Sequence, residues 1–193
     1  RLVMVKRGEV DIAILMQDVF YQEAKKAAGL KVFSPLSPAI YTILMPTQWD
    51  SKSPWSNPRV RLAASLAIDR KTLADINHPG CDPAGSIGLT GDPLVVNSPP
   101  HPYDPERARR LMAEAGYSKG FHGGKLYPYG NNWQWGEQVA TYWKAIGINV
   151  DVVLLDRPAW IAARNSGKFK GDIFIDAIMP PTIGGRLSYL FGP

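Results

Sequence analysis

Residues 125–179 read "KLYPYGNNWQWGEQVATYWKAIGINVDVVLLDRPAWIAARNSGKFKGDIFIDAIM". The hydrophobic period in this stretch switches back and forth. "KLYPYG" has the aromatic and apolar content of a strand, and "WQWGEQVATYWKAIG" then puts Trp135, Val139, Tyr142 and Ile146 on one helical face. "INVDVVLL" is a second strand. Asp156 is placed to cap the helix "RPAWIAARNSGKF", and "DIFIDAIM" is a third strand closed by Pro180 and Pro181. Strands that alternate with helices need crossover connections, which places them in a largely parallel sheet. The expected fold is therefore an α/β lobe with a mixed, largely parallel sheet flanked by helices.

Upstream, "SPWSNPRVRLAASLAIDRKTLADI" (53–76) contains two helix starts. Asn57 is a good N-cap, and Pro58 suits the first helical position because the N–H it lacks is not needed there. Val60, Ala64, Ala67 and Ile68 share a face, and Asp69 reads as the cap of a second short helix holding Leu73 and Ile76. "YDPERARRLMAEAGY" (103–117) repeats the pattern with Asp104, Pro105, the stripe Ala108, Leu111, Met112 and Ala115, and a stop at Gly116. Glu106 and Arg110 are spaced to pair across one turn. "AIYTILM" (39–45) reads as a strand ending at Pro46, "EVDIAIL" (9–15) as another, and "QDVFYQEAKKAAG" (17–29) as a helix. Residues 78–102 are dense in Gly and Pro and predict an irregular segment.

The chain has 193 residues, 45% hydrophobic and 20% charged, enough for a real core. Its formal charge of +5 is scattered along the chain without a basic block, which argues against nucleic acid. No apolar run approaches the roughly 18 residues of a membrane span. Cys81 is the single cysteine, so no intramolecular disulfide forms. The opening "RLVMVKRGEVDIAI" runs directly into an expected strand, so the chain reads as a piece of a longer protein and carries no targeting segment of its own. Catalytic signatures are absent: "GSIG" around Ser86 lacks nucleophile-elbow spacing, and neither G-x-G-x-x-G nor a P-loop occurs. His78 and Cys81 lie three apart with His101 further on, too sparse for a metal site. No enzyme, cofactor or metal centre is expected.

The segments "GEVDIA", "SPWSNPRVRLAASLAIDRKTLADI", "YDPERARRLMAEAGYSKGF" and "IGINVDV", in this order and with these gaps, resemble the family 5 extracytoplasmic solute-binding proteins. These are the peptide, nickel and oligosaccharide receptors of ABC importers. The resemblance implies a protein of more than twice this length whose two lobes close on a solute. Residues 1–45 would be the end of a first-lobe segment with the crossing strand, and 46–193 most of the second lobe, incomplete at its C-terminal side. The implied function is capture of a peptide-like, opine, oligosaccharide or related small polar solute for a membrane permease. The protein would act as a monomer at the periplasmic or extracellular side of the cytoplasmic membrane, meeting the membrane only through the permease or a lipid anchor. A nickel-type metal receptor and a non-transport interaction or signalling module are the alternatives.

In open α/β sheets, solutes collect beyond the carboxyl ends of strands, beside helix N-termini. That rule singles out "YGNNWQW": Tyr129, Asn131, Asn132, Trp133 and Trp135 bring amides and aromatic faces to one strand exit. Trp143 and Trp135 fall on or beside the apolar stripe, where core packing is the ordinary account, whereas Trp133 lies off it. The second place is the end of "DIFIDAIM". Peptide-binding relatives carry an aromatic and then an acidic residue there, and the corresponding positions are Ile178 and Pro181. That departure weakens an ordinary peptide reading. Asp176 and Met179 are the remaining candidates, with Thr182 and Arg186 behind them; a buried structural role is open for Asp176 because a buried carboxylate needs partners.

Overall fold

The computed structural model describes residues 1–14, 18–33, 39–78, 80–88, 95–96, 98–130, 133–180 and 182–191. Four strands form one mixed sheet: β1 (Ile40–Leu44), β2 (Phe121–Tyr127), β3 (Ile148–Val152) and β4 (Ile173–Ile178), in the order β1-β4-β2-β3. β2 runs parallel to both β3 and β4, and β1 closes the edge antiparallel to β4, with Tyr41 opposite Ala177 and Thr42 opposite Asp176. The lobe is thus the expected mixed α/β sheet flanked by helices.

Strand alternation sorts the two faces. Leu126, Ile173 and Ile175 point to a core shared with α3 (Pro58–Leu66), α5 (Pro105–Glu114) and α6 (Trp133–Lys144). Tyr127 and Phe174 point the other way, to Trp160 and Ala163 of α7 (Arg157–Asn165) and to Phe169 in the 3-10 turn Lys168–Gly171. Trp55 and Trp143 fill the larger core with ring centroids 5.3 Å apart. Each indole N–H has a backbone acceptor, Gly123 O at 2.9 Å and Ala64 O at 3.0 Å, so burying them leaves no polar atom unpaired.

The caps form as the sequence predicts. Asn57, Asp69, Asp104 and Asp156 accept hydrogen bonds from Arg59, Thr72, Arg107 and Ala159 backbone N–H groups, starting α3, α4 (Arg70–Asn77), α5 and α7. The Asp104 N–H donates to Leu66 O at 2.9 Å and so fixes the start of α5 against the end of α3.

Four local expectations are corrected. Residues 9–14 are not a strand; Ile12 and Ile14 remain 79% and 68% exposed, and no strand among the described residues lies beside them to complete a ladder. The chain instead opens with the short helix α1 (Leu2–Lys6), and α2 (Asp18–Lys26) follows. Glu106 pairs with Arg109, at i+3, rather than with Arg110. Ile76 faces solvent instead of joining Leu73 against the core. β2 begins four residues before the expected "KLYPYG", because Gly123 and Gly124 are strand residues here. A Cβ on Gly123 would lie 2.8 Å from Trp55 Cζ2, and Gly124 adopts φ +96° where the ladder register shifts. The glycines let the strand bend under Trp55, so a pair that looks like a loop is a packing device.

Candidate functional site

The sheet topology brings several ends together. The carboxyl ends of β2, β3 and β4 lie on one sheet edge, and the start of β1 joins them because β1 is antiparallel. α6, α7 and α8 (Ile183–Phe191) leave from these strand ends. Tyr129 follows β2 here, with its ring 6.4 Å from Tyr41 on one side and 4.9 Å, edge-on, from Trp160 on the other. It therefore spans the end of the sheet between the two cores.

Trp135, in the first turn of α6, lies 4.2 Å from Tyr41 and 5.2 Å from His78 at the end of α4. Tyr41 and His78 are nearly parallel, 5.7 Å apart with an interplanar angle of 15°. All four rings of this wall are partly exposed. Trp133 beside them is 43% exposed and Met179, just past β4, is 50% exposed. The amide of Asn77 donates to Gln138 Oε1 at 2.6 Å and to Leu73 O, which ties the end of α4 to α6 beneath the wall. His78 Nε2 is buried with no hydrogen-bond partner among the described residues.

Asp176 is 0% exposed. It lies on the α7 face of β4, where Arg164 Nε donates to Oδ2 at 2.8 Å and the Tyr189 hydroxyl reaches both oxygens at 3.0 and 3.3 Å. Burial, and then the negative charge of Asp176, push the Tyr189 phenol up to about 12. The guanidinium of Arg164 also lies 4.2 Å over the Tyr189 ring. Arg186 is fully buried in α8 and donates to Ile87 O at 2.9 Å, fastening the Gly- and Pro-rich segment to the same corner.

Of the residues singled out from the sequence, Tyr129 and Trp135 both meet Tyr41 at this edge, Trp133 opens α6 exposed to solvent, and Met179 stands exposed at the end of β4. Asn131 and Asn132 lie outside the described residues, as does Pro181. Asp176 faces the α7 layer, on the Tyr129 side of the wall and away from Trp135, with its oxygens engaged by Arg164 and Tyr189. Ile178 is fully buried, and Thr182 turns its hydroxyl to the N–H of Gly185. Sequence reasoning missed Tyr41 and His78. Tyr41 was legible only as a strand residue, and its meeting with Trp135 depends on β1 joining the sheet antiparallel beside β4. Among the described residues no three His, Cys, Asp or Glu side chains gather into a metal-binding set, and no helix is long and apolar enough to cross a membrane.

Comparison with known proteins gives a consistent picture. The family model "Bacterial extracellular solute-binding proteins, family 5 Middle" matches residues 1–183. The glutathione-binding protein GsiB of Salmonella choleraesuis is 33% identical over 126 residues, covering 63% of this chain and 23% of that protein. Heme-binding protein A of Haemophilus influenzae is 36% identical over 72 residues, 36% of this chain and 13% of the relative. Among solved structures, the ABC transporter-associated periplasmic binding protein DppA from Helicobacter pylori, in complex with the peptide STSA, superposes with a TM-score of 0.72 at 20% identity. That match covers 97% of this chain and 36% of the other. The chain thus spans less than a quarter of the GsiB relative it matches.

Proposed function

The chain belongs to family 5 of the bacterial extracellular solute-binding proteins, and from that premise we propose that it supplies one lobe of a two-lobed receptor for an ABC importer. In this reading residues 46–193 are most of the second lobe, and residues 1–45 end a first-lobe segment and make the crossing strand. The receptor works as a monomer outside the cytoplasmic membrane and hands a peptide-like or related small polar solute to permease subunits. It has no catalytic step.

The observation that carries this reading is the partly exposed rim of Tyr129, Trp133 and Trp135 at the carboxyl edge of the sheet, above a filled core. Asn131 and Asn132, between these residues in sequence, supply amide groups, and Met179 supplies an adaptable apolar contact from β4. A solute resting on this rim is enclosed when the other lobe closes over it. Because the closed form touches the solute from both sides, the solute shifts the open–closed equilibrium by its extra affinity for that form. The permease then recognises the closed shape.

Calorimetry of the complete receptor against glutathione, haemin, short peptides, an opine and an oligosaccharide tests the reading. Binding in the micromolar range or tighter, without product formation, is expected. Tyr129→Ala and Trp133→Ala should each weaken that affinity about ten-fold while far-UV circular dichroism is unchanged. Full affinity in both variants would remove the rim from the site, and turnover of any solute would make the protein an enzyme.

A further inference from the structure

We propose that β3 and the trench beside it take an extended peptide segment of a partner protein as a fifth strand of the sheet, with a carboxylate of that segment against Lys144. None of the residues concerned belongs to the rim, so the inference goes beyond the receptor reading and stands apart from it.

The first argument is in the backbone. β3 ends the order β1-β4-β2-β3, and among the described residues only β2 pairs with it. Gly147 O accepts from the Phe121 N–H and the Val153 N–H donates to Leu126 O, both at 2.9 Å. Successive strand residues turn their backbone groups to opposite sides, so Ile148, Val150 and Val152 direct one N–H and one C=O each away from the sheet. Sheets blunt such an edge with Lys or Pro on the strand, a bulge in it, or a covering element. β3 reads "INVDV" and has neither Lys nor Pro. The irregularity in this pair falls between His122 and Lys125, on β2. The outer edge of β3 is therefore a regular template for another strand.

The second argument is the space beside that edge. A trench of about 320 Å³ lies between Ala140, Thr141 and Lys144 of α6 and Asn149, Val150 and Asp151 of β3. A strand laid here puts alternate side chains on the α6 side and on the opposite face. On the α6 side Val150 is partly exposed, and the small Ala140 leaves room for an apolar side chain. The Thr141 hydroxyl turns back to Glu137 O at 2.8 Å, so it shapes the trench and leaves the polar contact to Lys144. Lys144 is exposed in the last turn of α6 and enters no ion pair among the described residues. It selects an acid on this side of the incoming strand. On the opposite face Asn149 and Asp151 are exposed, with His122 Nε2 at 3.4 Å from Asp151 Oδ1, and they select basic or amide side chains. A second copy of β3 would bring only Ile148, Val150 and Val152 to the α6 side and offer Lys144 no carboxylate. A segment of different sequence, acidic and apolar on one face and basic on the other, fits the edge better.

The test uses the complete receptor and the synthetic peptide acetyl-Val-Lys-Glu-Lys-Val-Thr-amide, whose alternate residues follow this pattern. Calorimetry should give a Kd below about 1 mM, and hydrogen exchange should show the Ile148, Val150 and Val152 amides protected only when the peptide is present. Exchanging Lys and Glu in the peptide should weaken binding at least about five-fold, and Lys144→Glu should reverse that preference. Of two peptides N-methylated on odd or on even residues, one should lose binding and the other keep it, because only one edge of the peptide meets β3. Val150→Pro removes an N–H that the sheet does not use, so it should abolish binding while the thermal melt stays unchanged. The methylated pair needs no receptor variant and decides the case even if Val150→Pro fails to fold. No binding of either charge pattern, or equal binding of both methylated peptides, overturns the proposal. So do edge amides already protected without peptide, which would show another part of the receptor on β3, and a receptor dimer that Val150→Pro dissolves. A calorimetric solute panel with no binding would sink the receptor reading and leave the peptide result standing.

Discussion

Removing either partner of the Arg164–Asp176 pair should destabilise the lobe, and the two removals should differ in a definite direction. Asp176 is completely buried, while the Arg164 side chain keeps 24% of its surface in solvent. Arg164→Ala strands a carboxylate that cannot reach water and retains only the Tyr189 hydroxyl. Breaking a fully buried pair in this way costs about 3–5 kcal/mol; partial exposure of Arg164 screens this one, so about 2–4 kcal/mol is expected. Asp176→Ala leaves a guanidinium that can turn outward to solvent and stay over the Tyr189 ring. It loses the charge-assisted bond and the Tyr189 acceptor, for about 1.5–3 kcal/mol. The double variant should cost less than the sum by about 1–2 kcal/mol, because neither charge is then stranded. Urea unfolding followed by tryptophan fluorescence measures all three values, since Trp160 packs on the same face of the sheet. If Asp176→Ala proves more costly than Arg164→Ala, or if both fall below about 0.5 kcal/mol, the pair does not clamp α7 to the sheet.

Other consequences are quicker to check. Gly136→Ala should destabilise α6 by about 1–2 kcal/mol despite alanine's better helix propensity, because the new Cβ would lie 2.2 Å from Pro128 Cγ. Gly184→Ala in α8 meets nothing within 4 Å and should leave stability equal or raise it by a few tenths of a kcal/mol; thermal melts of the two variants separate steric cost from propensity. Asp69→Ala should cost about 1 kcal/mol at pH 7 through the lost α4 cap. The backbone N–H of Thr72, and then its hydroxyl, hold the Asp69 carboxyl below the usual range. The cap's contribution is therefore full above about pH 4 and lost as pH falls through the lowered folded value, so wild type and Asp69→Ala should converge in acid urea titrations. Tyr189 ionises late, near 12, so its neutral form, hydrogen-bonded to Asp176, contributes stability that is present below about pH 10 and lost as pH rises towards about 12. Ultraviolet titration should show a phenolate delayed to about 12 that is absent in Tyr189→Phe.

What was readable in the sequence was what is decided within a few residues. The caps at Asn57, Asp69, Asp104 and Asp156 need only a side-chain oxygen two or three residues from a free N–H, and all four form. The alternation over residues 125–179 was equally local, and it fixed the parallel pairing of β2 with β3 and β4. Failures began where a distant partner sets the outcome. Residues 9–14 alternate like a strand, yet alternation supplies only a face, and a ladder requires a second strand. Gly123 and Gly124 look like a loop until Trp55, 68 residues away, is seen to need the space they leave. The rim was half visible for the same reason. Tyr129, Trp133 and Trp135 share one strand exit, whereas Tyr41 and His78 arrive through the register of β1 and the length of α4.

The division of labour within the lobe follows from where its polar atoms are satisfied. Behind the rim, several buried polar groups are paired across elements: Trp55 to Gly123, Trp143 to Ala64, Asp176 to Arg164 and Tyr189, Arg186 to Ile87; Trp160 Nε1 is buried without a partner among the described residues. Each of these bonds would have to break for the elements it joins to move apart, and each would then leave a polar or charged atom stranded in an apolar interior. The lobe therefore carries its rim as a rigid body. At the wall the rings are only partly buried, packed against the cores on one side and open on the other. A solute that covers this surface gains apolar burial without disturbing the interior. In the proposed receptor, closure over the solute falls to the crossing between lobes, and the rim it closes on is already held by the core beneath it.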